Sequence, residues 1–173
     1  NLTAIRDPKE MLVKHLLDSL SILNDLPEGR LLGVGTGGGM PGIPLAIMQS
    51  NSQVTLLDSV WKKIRACDHF VKVIGLNNVE TVHMRAEDFV KTHAWKFDRV
   101  VSRATAFLPT ILQWAIPFLA PMGKIVLYKL PSWDEFDAGR EFCRANGIEL
   151  VQKFEYTLEW QERLILVFER LKA

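Results

Sequence analysis

Apolar positions along the chain change repeatedly between the two-residue period of a strand and the helical period of about 3.6 residues. Predicted strands cover residues 30–34, 53–57, 79–84, 97–102 and 124–129, and predicted helices cover 41–49, 61–74, 108–118 and 132–145. Because strands and helices alternate, the pattern predicts an α/β fold with a mostly parallel, doubly wound sheet of the Rossmann-like type.

The chain ends in a different pattern. Ile148, Leu150, Phe154 and Tyr156 share one parity, whereas Leu164–Phe168 is continuously apolar and is typical of a strand buried on both faces. Only about eight residues separate the two segments, and a parallel crossover needs a dozen or more. We therefore expect an antiparallel β-hairpin at the end of the sheet.

The first 29 residues predict a helical lead-in. Asp7-Pro8 is typical of a helix start, and Leu12, Leu16, Leu20 and Leu23 follow at helical spacing. With no linker visible, we expect residues 1–173 to form a single domain.

Composition restricts the class of protein. The chain is 48% hydrophobic and 24% charged, and no apolar run reaches the length of a membrane span. Cys67 and Cys143 form no CxxC pair and the four histidines lack metal-ligand spacing, so we expect reduced thiols and no metal in a cytoplasmic, monomeric protein. The net charge of +1 excludes binding to nucleic acid by bulk charge, so an RNA partner would need a local basic patch.

A glycine-rich loop follows the first predicted strand. Six of the eleven glycines lie between residues 33 and 42: Gly33, Gly35, Gly37, Gly38, Gly39 and Gly42. Glycine permits positive φ and lets a ligand approach the main chain, and the loop leads from a strand into a helix. This context indicates a nucleotide-type ligand.

Asp58 ends the second predicted strand, 23 residues after Gly35. That spacing suits a carboxylate that binds ribose hydroxyls, although Asp58 could also cap the helix that begins at Trp61. A dinucleotide and S-adenosylmethionine both fit this geometry. The latter is favoured because Pro41 lacks the N–H that a pyrophosphate would use, because few residues remain for a substrate domain, and because the sheet ends in a reversed strand.

Several segments along the chain together match the pattern of one protein family. They are Val34-Gly35-Thr36-Gly37-Gly38-Gly39-Met40-Pro41-Gly42-Ile43-Pro44-Leu45, Asn1-Leu2-Thr3 with Arg6, His15-Leu16-Leu17-Asp18-Ser19, Leu56-Leu57-Asp58-Ser59, Arg85-Ala86-Glu87, Ser102-Arg103-Ala104 and Glu162-Arg163. On these segments the chain resembles the RsmG (GidB) family of 16S ribosomal RNA guanine-N7 methyltransferases. The resemblance spans the whole chain.

The resemblance implies an S-adenosylmethionine-dependent methyltransferase acting on 16S ribosomal RNA within a 30S particle or its precursor. It places the cofactor over Gly35, Thr36, Gly37 and Met40, in addition to Asp58. It places Ala86 and Glu87 at the adenine edge and Arg103 at the cofactor and active-site side. Alternatively, Glu87 is only a first-turn helix carboxylate, Arg103 a surface ion pair, and His15 with Asp18 a polar pair tying the first helix to the sheet.

Guanine N7 carries a free lone pair, so its methylation needs no general base, and we assign no catalytic residue beyond a positioning role for Arg103. The predicted phosphate contacts are Arg103, Lys62, Lys63, Lys129 and Arg163. The basic residues on the helix after Asp58 are equally consistent with a solvated surface.

Two positions depart from the family pattern. Gly33 stands where the family usually has Asp, and Leu130 stands where it usually has Gly after the lysine of the fifth strand. The family's N-terminal helices are also absent from this sequence. These departures leave two alternatives open: a nucleotide-binding Rossmann protein, and a non-catalytic relative that binds RNA or ribosomes.

Overall fold

A seven-stranded mixed sheet forms the centre of the molecule in the computed structural model, which describes residues 7–103 and 105–171. The strand order is β3-β2-β1-β4-β5-β7-β6. The strands are β1 (Arg30–Val34), β2 (Gln53–Asp58), β3 (Val79–His83), β4 (Phe97–Arg103), β5 (Leu119–Lys129), β6 (Ile148–Leu158) and β7 (Gln161–Arg170). The Rossmann-like α/β fold predicted from the alternating pattern is confirmed.

Helices connect the strands. They are α1 (Pro8–Met11), a π-helical turn (Leu12–Leu17), α2 (Asp18–Leu20), α3 (Gly42–Met48), α4 (Trp61–Ile74), α5 (Ala86–His93), α6 (Leu108–Ala115) and α7 (Trp133–Ala145), with short 3₁₀ turns at Leu23–Asp25 and Ile116–Phe118. We call α1, the π-helical turn and α2 together the N-terminal helix. Ser132 occupies the N-cap of α7, as predicted, but its side chain makes no capping hydrogen bond.

Strands β1 to β5 pair in parallel. The inner strands β1, β2 and β4 are largely buried, whereas β3 at the edge of the sheet is partly exposed. Leu32, Val100 and Ile125 belong to an apolar cluster on one face, and Leu31 and Val101 belong to a second cluster on the other. Both cysteines are free and buried in helices, as expected. Among the described residues, no helix is long and apolar enough to cross a membrane.

The C-terminal hairpin is antiparallel, as predicted, and its second strand lies between β5 and β6. Leu164–Phe168 is buried and contributes to both apolar clusters. The prediction that Leu150 and Phe154 share a face is wrong, because the register shifts between Leu150 and Gln152. One additional residue at such a bulge moves every later side chain to the opposite face.

The N-terminal helix turns a mixed face toward the sheet. Leu20 packs against the second apolar cluster, Leu12 is 52% exposed, and the buried residues of the helix are Asp18 and Ser19. Hydrogen bonds satisfy the polar part of this face: Ser19 lies beneath the Tyr128 hydroxyl, which donates to the Ser19 carbonyl at 2.8 Å. The predicted family residues Asn1, Leu2, Thr3, Arg6 and Ala104 lie outside the described residues.

Candidate functional site

The glycine-rich loop leaves β1 at the carboxyl edge of the sheet. β1 lies between β2 and β4, which is the point where the strand order reverses its direction across the sheet. This edge is the usual ligand position in open α/β sheets. Gly35, Gly37 and Gly39 have φ values of +62°, +59° and +91°, which side chains disfavour. A Cβ on Gly35 would lie 2.2 Å from Thr105 Cγ2, so glycine is required here by the protein's own packing as well as by any ligand.

Asp58 supports the loop from the end of β2. Its Oδ2 accepts a hydrogen bond from the Gly37 N–H and its Oδ1 accepts one from the Val60 N–H, both at 2.9 Å. The alternative that Asp58 caps α4 is wrong, because the N-cap residue is Val60 and no side chain of the described residues makes a capping hydrogen bond there. Each carboxylate oxygen has further acceptor capacity, so the Val60 contact and a ribose contact are compatible.

A cavity of about 550 Å³ opens beside the loop. All eight residues predicted to bind the cofactor line it: Gly35, Thr36, Gly37, Met40, Asp58, Ala86, Glu87 and Arg103. The volume lies within the range of small-molecule sites. The fold therefore brings together segments that are up to 68 residues apart in the sequence, and the role of each in binding stays a prediction.

The far wall of the cavity comes from α4 and the start of α5. Val60, Phe70 and Met84 provide apolar surface, and Glu87 is an exposed carboxylate in the first turn of α5. This position agrees both with a place at the adenine edge and with a first-turn helix carboxylate, the two interpretations of Glu87. Among the described residues, no group of three or more His, Cys, Asp or Glu side chains could hold a metal ion.

Arg103 reaches the cavity from the end of β4 and is held by the N-terminal helix. Its Nη1 donates to Asp18 Oδ2 and to the Lys14 carbonyl, both at 3.1 Å, and its Nη2 lies 3.1 Å from His15 Nδ1. The Arg103 side chain is only 16% exposed, so the ion pair is largely buried rather than on the surface. Burial, followed by the Arg103 charge, lowers the pKa of His15, so Nδ1 is available as an acceptor.

Apart from Arg103, four residues were predicted to contact phosphate, and the structure gives them different surroundings. Lys62 is exposed on α4, and Lys63 lines the cavity with its Nζ 3.7 Å from Asp58 Oδ2. Lys129 is 10% exposed and pairs with Glu135, and the Arg163 side chain is 19% exposed with its Nε 4.0 Å from Asp18 Oδ1. Of these four residues, only Lys62 and Lys63 have side chains exposed enough to contact a phosphate directly. The RNA contact of each of the four remains a prediction.

The two departures from the family pattern have different surroundings. A Cβ on Gly33 would lie 3.5 Å from Thr36 Oγ1, an ordinary contact, and that buried hydroxyl has no hydrogen-bond partner. Leu130 is 47% exposed and is not among the described residues that line the cavity, so it does not narrow this space.

Several cavity residues were not predicted. Met11 and His15 line it from the N-terminal helix, and Thr105 and Trp114 line it from beyond β4. His15 and Asp18 had been considered as a mutual pair, whereas the carboxylate of Asp18 bonds to Arg103 and Tyr156. In the sequence, the family resemblance of His15–Ser19 was the one indication that this helix contributes to the site.

Comparison with known proteins agrees with the fold and with the family pattern. The family model described as GidB, rRNA small subunit methyltransferase G, matches residues 1–164. The protein named ribosomal RNA small subunit methyltransferase G in Acinetobacter baylyi is 44% identical to this chain, and the match covers 99% of this chain and 80% of that protein. The protein of the same name in Acinetobacter baumannii is 52% identical, and the match covers 96% of this chain and 79% of that protein.

Solved structures share the architecture at low identity. A SAM-dependent methyltransferase from Aquifex aeolicus has a TM-score of 0.70 at 18% identity, covering 94% of this chain and 93% of its own. M. jannaschii TYW2 in complex with AdoMet has a TM-score of 0.69 at 17% identity, covering 91% and 76%. With the glycine loop, Asp58 and Arg103 around one cavity, the chain belongs to the GidB family of small-subunit rRNA methyltransferases.

Proposed function

We propose that the chain transfers a methyl group from S-adenosylmethionine to N7 of a guanine in 16S ribosomal RNA, acting in the cytoplasm on a 30S particle or its precursor. The observation that carries the proposal is the meeting of the glycine loop, Asp58, Ala86–Glu87 and Arg103 around one cavity in a chain of this family. The names of the relatives support the ribosomal substrate, and the family resemblance supports guanine N7.

The cavity suits the cofactor. Backbone with positive φ at Gly35 and Gly37 allows close approach to the main chain, and Asp58 offers acceptors for ribose hydroxyls. Val60, Phe70 and Met84 provide an apolar wall next to Ala86, where a purine ring would be desolvated. When bound, S-adenosylmethionine supplies an electrophilic methyl group on a positively charged sulfur.

The chemistry requires alignment more than proton transfer. Guanine N7 has a lone pair and no proton at neutral pH, so no side chain has to act as a base. Holding two reactants in line and excluding water can contribute about 7–11 kcal/mol to the lowering of the barrier. We assign Arg103 to positioning, since it is the cationic side chain held at the cavity from two directions, by β4 and by the N-terminal helix.

The RNA approaches the cavity from the α4 side in this proposal. Lys62 and Lys63 begin α4 at the carboxyl edge of the sheet, and Lys63 also lines the cavity. The target base must be unpaired or displaced from its stack to enter.

A methylation assay tests the proposal. We expect the chain to transfer labelled methyl groups to 30S particles that lack the family's modification, with 7-methylguanine found by mass spectrometry of the digested RNA. Asp58→Ala should abolish the transfer, whereas the matched variant Asp88→Ala, at an exposed carboxylate on α5, should retain it.

Two other outcomes would contradict the proposal. Stabilisation of the fold by NAD but not by S-adenosylmethionine would favour the nucleotide-binding alternative. Binding of 30S particles and of S-adenosylmethionine without transfer would identify a non-catalytic relative.

A further inference from the structure

We propose that Asp18 is a positioning residue, which fixes the Arg103 guanidinium in the methyl-transfer cavity. This inference rests on the proposed function, because that function places the cofactor and the reaction in the cavity that Arg103 lines. Asp18 itself is not among the residues that line the cavity; it acts from behind Arg103.

One turn of the N-terminal helix supplies three acceptors to the guanidinium. Asp18 Oδ2 and the Lys14 carbonyl accept from Nη1, and His15 Nδ1 lies within hydrogen-bond distance of Nη2. Only the carboxylate is charged, since the lowered pKa of His15 favours its neutral form. The ionised guanidinium is the donor in all three contacts, but only the contact with Asp18 joins opposite charges, so Asp18 makes the largest contribution to the orientation.

The π-helical turn makes this arrangement possible. In an α-helix the Asp18 N–H would bond to the carbonyl four residues earlier, at Lys14. Here that N–H bonds to the Val13 carbonyl, five residues earlier, and the Lys14 carbonyl accepts from Arg103. Single π-helical turns are frequently found at functional sites, where they turn a backbone group toward a new partner.

Asp18 is fixed in turn by the C-terminal hairpin. The Tyr156 hydroxyl on β6 donates to Asp18 Oδ1 at 2.7 Å, and Arg163 Nε on β7 lies 4.0 Å from the same oxygen. Burial raises the pKa of Tyr156 to about 12, so the hydroxyl remains a donor at neutral pH. The carboxylate is 4% exposed and thus bridges the hairpin to Arg103 without access to solvent.

A double-mutant cycle tests the inference, using the full chain with 30S particles and S-adenosylmethionine. We measure kcat, KM and the cofactor Kd for Asp18→Asn, Arg103→Gln and the double variant. Misplacement of a catalytic group by about 1 Å can slow a reaction about a hundredfold. We therefore expect Asp18→Asn to impair, by at least about tenfold, the same parameter that Arg103→Gln impairs, as a lower kcat or a higher KM or Kd. In the Arg103→Gln background, the same change should have less than about a twofold effect.

The matched control is Ser21→Ala. Its hydroxyl donates to the Asp18 carbonyl and lies 3.3 Å from the Tyr156 hydroxyl, but it does not touch the guanidinium. We expect Ser21→Ala to leave kcat, KM and Kd unchanged. If Asp18→Asn does not fold, Tyr156→Phe replaces it in the cycle, with an expected loss of about two- to fivefold that disappears in the Arg103→Gln background.

Each outcome is decisive. Multiplicative effects of Asp18→Asn and Arg103→Gln, or a fall in thermal stability with unchanged kcat, KM and Kd, would show that Asp18 is merely structural and would overturn the inference. If Arg103→Gln changes none of the parameters, the inference fails with it. Absence of methylation by the native chain would contradict the proposed function but not this inference, because the cofactor Kd of the variants still measures the coupling between Asp18 and Arg103.

Discussion

At the scale of single residues, Asp58 combines support of the loop with the proposed cofactor contact. Asp58→Ala leaves two partly buried N–H groups, those of Gly37 and Val60, without their acceptor. We expect the free energy of unfolding to fall by about 1–3 kcal/mol and S-adenosylmethionine to bind at least about tenfold more weakly.

Urea unfolding and calorimetry separate the two effects of Asp58→Ala. A loss of stability with unchanged cofactor affinity would leave Asp58 with the loop and the helix start only. Asp58→Asn, which keeps one acceptor oxygen, should give an intermediate result in both measurements.

Gly33 is the second residue with a specific expectation. The family's Asp can be introduced there without a clash, since its Cβ would lie 3.5 Å from Thr36 Oγ1 and 3.6 Å from Leu56 Cδ2. A carboxylate at this position would accept a hydrogen bond from the unpartnered Thr36 hydroxyl and would place negative charge near the cationic cofactor. We expect Gly33→Asp to tighten S-adenosylmethionine binding about five- to a hundredfold, equivalent to about 1–3 kcal/mol.

Calorimetry at fixed salt measures the change for Gly33→Asp, and Gly33→Ala is the matched control. Ala adds the same Cβ without the charge, so we expect the affinity for S-adenosylmethionine to stay within about twofold of the native value, a change of less than about 0.5 kcal/mol. Weaker binding by a folded Gly33→Asp protein would show that this chain has adapted its site to glycine.

Residues that act locally were predictable from the sequence. Glycine clustering and the Gly35–Asp58 spacing identified the loop and its carboxylate because strand-to-helix geometry confines both to one edge. The Asp18–Arg103 pair was not predicted as a contact, since the two residues are 85 positions apart and only the folded sheet brings them together.

At the scale of elements, a buried arginine joins segments at the amino edge of the sheet. Arg99 on β4 donates to Gln49 after α3, to Ser52 before β2 and to the Gly29 carbonyl before β1. It is 1% exposed, and removal of its side chain would remove three hydrogen bonds from the interior.

We expect Arg99→Met to lower the free energy of unfolding by about 3 kcal/mol, measured by urea denaturation. The matched variant Arg30→Met breaks the exposed pair with Asp98 and should cost less than about 1 kcal/mol. Equal effects of the two variants would contradict a structural role for the buried network.

Element boundaries show where pattern reasoning fails. The alternating period predicted β6 correctly, but the extra residue near Val151 reverses the face of Phe154. The leucine spacing predicted the N-terminal helix but not the burial of Asp18 and Ser19, which hydrogen bonds hold in the interior. Both features depend on tertiary contacts that a local periodicity does not show.

At the scale of the whole molecule, charge is almost balanced, so RNA binding must depend on position. If Lys62 contacts a phosphate, Lys62→Gln should weaken binding of 30S particles and reduce the slope of log affinity against log salt by about one. Lys96→Gln is the matched control, since Lys96 is exposed next to β4 at the amino edge of the sheet.

Filter binding over a series of salt concentrations measures both slopes for Lys62→Gln and Lys96→Gln. The cofactor Kd should be the same in both proteins. An unchanged slope for Lys62→Gln would assign that lysine to a solvated surface and move the RNA path away from α4.

The place of β7 in the sheet has a consequence for biosynthesis. β6 is joined to the rest of the sheet only through β7, which follows it in the chain. During synthesis from the N-terminus, β1 to β5 can pair as they emerge, but β6 has no edge to join until β7 has been made. Until then the nascent chain carries an unpaired β5 edge, and Tyr156 lies on a strand that has no place in the sheet. Such an edge can pair with other chains, so β7 protects the growing sheet from association and also brings Tyr156 and Arg163 to Asp18.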